Sequence, residues 1–179
     1  TQKVYIFKET ETYDLLQSEG QFFDKSDFDL ADVYINGVFD GYGSFNGKIR
    51  IFDQTIDYSY TNPRKKDKRS IYGRIPIELG YSQGEEKSSS LSEILFEKIS
   101  AKVKEYGGLY VFRDDLRVLP YGRVDNDFFQ IEERRSWNAG RYYWSNRRIF
   151  GYIGITQSSN KELKDKSGRE GFIRNQAAR

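Results

Sequence analysis

Apolar and polar residues alternate along several short runs of the chain, which is the spacing of β-strands that bury one face. Two stretches carry an Asn-Gly step between such runs, Asn36-Gly37 in the first and Asn46-Gly47 in the second. Because Asn-Gly readily takes the positive φ angles of a tight turn, both steps predict hairpin turns. A further strand is predicted over residues 71–79.

One long helix is predicted before residue 107. Its apolar residues recur every three or four positions on one face: Leu91, Leu95, Ile99, Val103 and Tyr106. Ser90 and Glu93 have the spacing of a capping box at its start, and Gly107 suits the position after its last turn. We expect this amphipathic helix to lie on a sheet, because its apolar face must be covered.

The second half of the chain predicts another hairpin and a short helix. Two apolar runs flank Asp114-Asp115, which suits a tight turn between two strands. Asp127 is placed to cap a short helix that runs to about Arg135. These elements add both strands and helices to the pattern of the first half.

Towards the end of the chain, alternation over residues 148–156 predicts a last strand, and residues 170–179 look like the opening of a helix. Together these elements predict an α+β fold with a mixed or antiparallel sheet, one long amphipathic helix and one or two short helices. We expect a single domain with a hairpin-rich part over residues 1–86 and an α/β part over residues 87–179.

The composition narrows the chemistry. The 179 residues contain no Cys and no His, which excludes disulfides, thiolate nucleophiles, Ser–His catalysis and almost all imidazole metal sites. Aromatic residues make up 16% of the chain, so rings must supply much of the core. No run approaches 18 apolar residues, so we expect no membrane span, no membrane partner and a cytoplasmic location. The chain starts at Thr1 without Met, which suggests a piece of a longer protein.

Charge is unevenly distributed along the chain. Residues 1–60 hold 5 basic and 11 acidic side chains, whereas residues 61–179 hold 24 basic and 16 acidic ones. A basic run over residues 64–69 is interpreted as a solvated loop, with nucleic-acid contact as the alternative. The acidic residues are expected at the surface, including a cluster at Asp24, Asp27, Asp29 and Asp32 that does not fit a calcium loop.

Glycine-rich motifs do not predict a nucleotide site. Gly41, Gly43 and Gly47 are one residue out of the dinucleotide-binding spacing and lie between strand-like runs, with no helix to open. Gly47-Lys48 is followed by Ile49, which cannot hold magnesium as the Ser or Thr of a phosphate loop does. We interpret these glycines as turn residues.

Arginine and aromatic residues interleave over residues 132–152, EERRSWNAGRYYWSNRRIFGY. The segment contains five arginines: Arg134, Arg135, Arg141, Arg147 and Arg148. Arginine forks bind phosphate or carboxylate, and aromatic faces stack on bases or on arginine itself. Two interpretations stay open: an anion-binding surface, or an internal network of cation–π and Arg–carboxylate contacts that holds a ring-rich core.

This segment and two others resemble the transducer domain of prokaryotic ATP-binding proteins of the GHKL superfamily, and look closest to its heat-shock-like or MORC-like branch. The others are GGLYVFRDDLRVLPYG at 107–122 and LKDKSGREGFI at 163–173. The superfamily groups gyrase, the large heat-shock chaperone, histidine kinases and MutL. The resemblance covers about residues 107–175 and implies a fold similar to the second domain of ribosomal protein S-five.

The resemblance implies that the ATP pocket belongs to a preceding Bergerat-fold domain, whose motifs this chain lacks. No Glu stands four residues before any Asn, and no DxGxG occurs. We therefore expect the chain alone to bind neither ATP nor Mg²⁺ and not to be an enzyme, whereas a full-length parent would be an ATPase that uses both. Its expected partner is that N-terminal ATPase domain, with a homodimer and nucleic acid as further possibilities.

The same resemblance implies that one basic residue of the 165–170 loop contacts the γ-phosphate of ATP in the neighbouring domain. Lys166 and Arg169 are the two candidates, and the sequence does not choose between them. A cation at this place would distinguish ATP from ADP and offset charge that develops during phosphoryl transfer. For the five arginines of the 132–152 segment we expect a structural or interdomain role. The alternative function for the whole chain is that of a nucleic-acid-binding or protein-interaction module.

Overall fold

A computed structural model describes residues 5–7, 12–14, 23–63, 73–122, 125–138, 140, 143–164, 166 and 171–173. The helices are α1 (Lys25–Asp29), α2 (Glu93–Tyr106) and α3 (Ile131–Trp137), with single 3₁₀ turns at Glu86–Ser88 and Asn146–Arg148. The strands are β1 (Tyr5–Phe7), β2 (Thr12–Asp14), β3 (Val33–Phe39), β4 (Phe45–Ile51), β5 (Gln54–Tyr60), β6 (Ile75–Tyr81), β7 (Gly108–Arg113), β8 (Leu116–Arg117) and β9 (Ile149–Ile155).

Seven strands form one mixed sheet in the order β5-β4-β3-β6-β9-β7-β8, while β1 and β2 form a separate antiparallel pair. All neighbours in the seven-stranded sheet are antiparallel except β9 and β7, which run parallel. The α+β class and the mixed sheet are confirmed. Within the described residues, no helix is long and apolar enough to cross a membrane.

Helices α1 and α2 cover one face of the sheet over β9 and β7. Phe150 and Tyr152 of β9 point to this face, and Phe150 lies fully buried between the rings of Phe23 and Phe28. From α2, Ile99 and Val103 complete this cluster. The amphipathic pattern of α2 therefore packs on the sheet at Ile99 and Val103, which are buried one turn apart, but Leu95 of the predicted apolar face is 38% exposed.

The other face of the sheet is apolar along its whole width. At its centre, four side chains form a buried cluster: Leu79 and Tyr81 of β6, Leu109 of β7 and Ile149 of β9. Phe129, Ile131 and Trp144, which follow β8 in the chain, pack over this cluster from outside the sheet. The aromatic-rich composition thus supplies core on both faces, as predicted.

The two predicted Asn-Gly turns are wrong. Both steps lie inside continuous strands, where Gly37 of β3 faces Gly47 of β4. A Cβ atom at Gly37 would lie 2.5 Å from Cζ of Phe45, and one at Gly47 would lie 2.8 Å from it. The two glycines make room for a ring that lies across the strand pair, so a packing requirement overrides their turn preference.

The actual turns around β4 use other residues. In the turn between β3 and β4, the Asp40 carboxylate accepts hydrogen bonds from the backbone N–H groups of Tyr42 and Ser44, at 2.8 and 2.9 Å. Between β4 and β5, the two-residue turn Phe52-Asp53 has a φ of 54° at Phe52. A phenylalanine at positive φ is uncommon, which is why this turn gave no signal in the sequence.

The predicted capping box of the long helix is also wrong. The helix begins at Glu93 with Ser92 as its N-cap, and Ser92 makes no side-chain capping bond. Ser90 instead donates its backbone N–H to Asp32, a fully buried carboxylate that also accepts from the Gln83 backbone and the Ser89 hydroxyl. A long-range partner for the loop before the helix has replaced the local cap.

The expectation that the acidic cluster lies at the surface is wrong for two of its members. Asp32 is fully buried as described, and Asp27 is 4% exposed and pairs with Lys102 of α2 at 2.6 Å. Asp24 caps α1, a short helix that the apolar pattern did not predict. These carboxylates join the α1 segment to α2 and to the loop that precedes it.

Local signals in the second half are largely confirmed. Asp114 and Asp115 form the tight turn between β7 and β8 at positive φ. Asp127 accepts three backbone N–H groups at the start of α3. The last strand occupies all but the ends of residues 148–156.

The predicted 71–79 strand begins later, at Ile75, and residues 71–72 lie outside the described part of the chain, as does the basic run at 64–69.

The predicted C-terminal helix is not supported where the structure can be described. Residues 171–173 are not helical, and Phe172 forms an isolated β-bridge. Residues 170 and 174–179 lie outside the described part of the chain.

Replacing Phe150 by Ala tests the ring cluster between β9 and the two helices. We expect the free energy of unfolding to fall by about 3–5 kcal/mol, because a fully buried ring leaves a cavity. Urea denaturation followed by circular dichroism measures it. Phe128→Ala is the control, since Phe128 is 41% exposed and should cost much less. Equal losses in both variants would contradict the placement of Phe150 at the centre of the core.

Candidate functional site

The loop that carries Lys166 is closed at its base by backbone hydrogen bonds. Lys166 N–H donates to the Gly171 carbonyl at 2.9 Å, and Ile173 N–H donates to the Lys164 carbonyl at 2.8 Å. The four residues between Lys166 and Gly171 lie outside the described part of the chain. Two antiparallel segments thus hold the base of the loop in one place on the molecule.

Aromatic packing fixes this base against the sheet. Phe172 is buried with Val111 of β7 and Ile155 of β9, and its ring stacks on Tyr121 with centroids 5.5 Å apart. The Tyr121 hydroxyl accepts a hydrogen bond from Phe172 N–H at 3.0 Å. Sequence segments 107–122 and 163–173, which carry two parts of the family resemblance, are therefore in direct contact.

A close backbone approach adds to this contact. Gly108, the first residue of β7, has a φ of +123°, and a Cβ there would lie 2.4 Å from the Gly122 carbonyl oxygen. Only glycine fits such a position, because the backbone conformation and the space both exclude a side chain. The paired glycines at the two ends of segment 107–122 thus let its chain fold back on itself.

Lys166 itself is exposed, and no ion pair joins its side chain to another residue that the structure describes. Arg169, the other candidate for phosphate contact, lies outside the described residues. The structure therefore presents one of the two predicted cations to solvent, on a loop whose base is held by the core.

The arginines of the 132–152 segment lie elsewhere. Arg134 and Arg135 are on α3, and Arg147 and Arg148 form the turn that leads into β9, while Arg141 lies outside the described residues. The turn precedes β9 and the Lys166 loop packs beyond its far end at Ile155. With about 3.3 Å per residue, the seven residues of β9 separate the two regions by about 23 Å. The structure does not bring the two predicted groups together.

Glu132 organises the junction between α3 and this turn. Its carboxylate accepts from the Ser145 hydroxyl at 2.5 Å and from the Asn146 backbone N–H at 2.7 Å, and it pairs with Arg135 at 3.5 Å. Burial tends to raise the pKa of Glu132, but the hydrogen bonds from Ser145 and Asn146 and the charge of Arg135 outweigh it, so the pKa is lowered. The carboxylate stays ionised and ties two loops together.

Arg148 is half-buried beside the ring-rich core. Its guanidinium occupies the space over Gly84, where a Cβ would lie 1.9 Å from its Cζ atom. Burial raises the pKa of the neighbouring Tyr81 phenol, and Arg148 acts in the opposite direction. Trp144 and Tyr143 cover Tyr81 with ring centroids 5.0 and 5.6 Å away. Arg148 thus lies beside the ring-rich core, while the Arg–carboxylate contact that the internal-network interpretation describes is made by Arg135 with Glu132.

The remaining two described arginines, Arg134 and Arg147, are exposed. They are the members of the group that a neighbouring domain or an anionic partner could reach. Within the described residues, no cluster of three or more acidic side chains is placed to hold a metal ion.

Sequence reasoning missed Tyr121, Phe172 and Glu132 as the residues that hold these regions in place. Glu132 is predicted to be a surface carboxylate, because it and Glu133 are adjacent and point in different directions, whereas its carboxylate accepts hydrogen bonds from Ser145 and Asn146. The pairing of Tyr121 with Phe172 joins residues 51 positions apart, and nothing local in the sequence announces it.

In comparisons with known proteins, no family model, no curated protein and no solved structure matches the chain. The fold and the site by themselves define an α+β domain with a mixed seven-stranded sheet and an exposed lysine on a closed loop.

The lowered pKa of Glu132 makes a pH prediction. The ionised Glu132 carboxylate contributes fully to the stability of the fold above its ordinary pKa of 4.5. This contribution is lost as the pH falls through the lower pKa that Glu132 has in the folded state. We expect Glu132→Gln to lower the melting temperature at neutral pH and to flatten its decline below pH 4.5, measured by thermal denaturation. Glu133→Gln, at the exposed neighbouring residue, is the control. A parallel decline in wild type and Glu132→Gln would refute the role of the carboxylate.

Proposed function

We propose that this chain is the transducer domain of a GHKL-type ATPase. It would couple ATP binding in a preceding Bergerat-fold domain to conformational change or dimerisation. The observation that carries the proposal is the contact between segments 107–122 and 163–173, because both carry the resemblance and they meet around Tyr121 and Phe172. That contact holds the base of the loop from which Lys166 extends to solvent.

In this proposal, the loop of Lys166 would supply only a positive charge. ATP and Mg²⁺ would be held by the neighbouring domain, and this chain would contribute one cation to the γ-phosphate. An ammonium on a flexible stem suits a phosphate as a compact point charge, whereas a guanidinium suits planar, bidentate contact. An exposed Lys166 is free of competing ion pairs among the described residues, which supports its use in this role.

A loop of this kind can also transmit movement. Its base is packed on Val111 and Ile155, which lie in the two parallel strands. A force on the loop tip would therefore reach β7 and β9 through buried contacts, and from there α2, which packs on the opposite face. This is a physical route from phosphate contact to a hinge movement between domains.

The arginines near the start of β9 would serve the interdomain surface in this scheme. Arg134 and Arg147 are exposed there, while Arg135 pairs with Glu132 at 3.5 Å and the Arg148 guanidinium lies over Gly84. A partner domain that binds this surface would therefore contact the exposed side chains of Arg134 and Arg147.

The proposal is tested in the longer chain that contains the ATPase domain. We expect Lys166→Ala combined with Arg169→Ala to lower ATP turnover by about 10²-fold or more, as loss of a transition-state cation does. The separate variants identify which residue acts. Lys161→Ala is the matched control, because Lys161 is an exposed lysine of the preceding loop. Steady-state phosphate release measures turnover. Unchanged turnover in the double variant would contradict the proposed γ-phosphate contact by Lys166 or Arg169.

A further inference from the structure

Strand β5 forms an open edge of the seven-stranded sheet. It lies at the end of the strand order, next to β4 alone, and all seven of its residues are exposed. Its outer side is paired with no other strand that the structure describes. An open edge presents backbone N–H and C=O groups that can pair with another chain.

The apolar face of the sheet continues onto this edge, where no residue that the structure describes covers it. Ile56, Tyr58 and Tyr60 of β5 are 50%, 42% and 45% exposed, and Ile51 of β4 is 47% exposed. The same face over β6 and β9 is buried under Phe129 and Trp144. Large apolar side chains grouped on a monomer surface mark an interaction site.

Within residues 54–60, β5 lacks several of the features that usually prevent edge pairing. Sheet edges are commonly protected by proline, lysine, bulges or short strands. Residues 54–60 contain neither proline nor lysine, and β5 pairs with β4 over seven consecutive residues without a bulge. The strand is thus long and regular enough to accept a further strand.

Turn geometry determines which backbone groups face outwards. The two-residue turn Phe52-Asp53 makes Ile51 and Gln54 a hydrogen-bonded pair, and such pairs alternate along an antiparallel ladder. Thr55, Asp57 and Ser59 therefore direct their backbone N–H and C=O groups away from β4. Their side chains lie on the polar face, opposite the apolar side chains of Ile56 and Tyr58.

We propose that β5 pairs antiparallel with β5 of a second copy of this chain, with Tyr58 opposite its own symmetry mate. The two sheets then join into one across a two-fold axis perpendicular to the sheet. This proposal rests on the edge itself and is independent of the transducer role.

The strand is self-complementary in this register. On the apolar face, Ile56 meets Tyr60 of the second copy and Tyr58 meets Tyr58, which are the aromatic and β-branched pairs that stabilise sheets. On the polar face, Asp57 meets Ser59, and these outward-facing residues exchange roughly four backbone hydrogen bonds across the axis. A register centred one residue earlier would set Asp57 directly against Asp57, so charge selects against it.

A charge-swap experiment tests the second copy as the occupant. In the 179-residue chain, Tyr58→Lys and Tyr58→Glu each place like charges opposite each other across the axis. We expect each variant alone to dimerise about tenfold more weakly than wild type, and an equimolar mixture to recover dimer, measured by sedimentation equilibrium. Thermal denaturation of each variant confirms that the fold is retained.

Disulfide trapping tests the register, because the chain has no cysteine of its own. Tyr58→Cys places two thiols in a non-hydrogen-bonded pair with Cα atoms about 4.5 Å apart, within reach of a disulfide. Gln54→Cys is the matched control on the same face of the strand. Its thiols would be about 26 Å apart, from eight residues at about 3.3 Å each.

We expect mild oxidation to give covalent dimer from Tyr58→Cys and little from Gln54→Cys. A wild-type chain that stays monomeric at high micromolar concentration, or a mixture of charge variants that recovers no dimer, overturns the proposal. So does preferential cross-linking through Gln54→Cys, which would require a different register or another occupant of the edge.

Discussion

Burial of β9 on both of its faces is the constraint on which the rest of the structure depends. Phe150 points to the helices and Ile149 to the opposite cluster, and both are at most 1% exposed. A strand in a parallel pair needs cover on both sides, since its residues are apolar throughout. The helices α1 and α2 on one face, and the segment around α3 on the other, are arranged to provide that cover.

The two candidate functional regions follow from this central strand because they lie at its two ends. Arg148 directly precedes β9 and is held by contacts over Gly84, whereas the Lys166 loop is packed against Ile155 at the far end. Each region is thus fixed to the most buried part of the molecule, while the side chain of Arg147 in one region and of Lys166 in the other is exposed. Exposure alone would give a mobile charge; attachment to the core gives a charge in a defined position.

What the sequence could predict was limited to features with a local cause. The Asp114-Asp115 turn and the apolar stripe of α2 are encoded within a few residues, and both were found. The Asn-Gly steps failed because the ring of Phe45 needs both glycines across two strands. Likewise, burial of Asp32 depends on partners more than 50 residues away. The resemblance placed Lys166 on a loop, but only the fold could bring Tyr121 to its base.

The burial of the strands decreases from β9 through β6, β3 and β4 to β5. The proposed pairing at the β5 edge and the proposed contacts at the ends of β9 therefore lie in different parts of the sheet. With strands about 4.8 Å apart, β5 lies about 19 Å from β9, since four steps separate them in the sheet. Pairing at the β5 edge would extend the sheet away from β9, so it would leave both the Lys166 loop and Arg147 open to other partners. If the chain acts as the proposed transducer, pairing with its own copy at one edge would therefore still leave the end of its central strand open to the proposed ATPase domain.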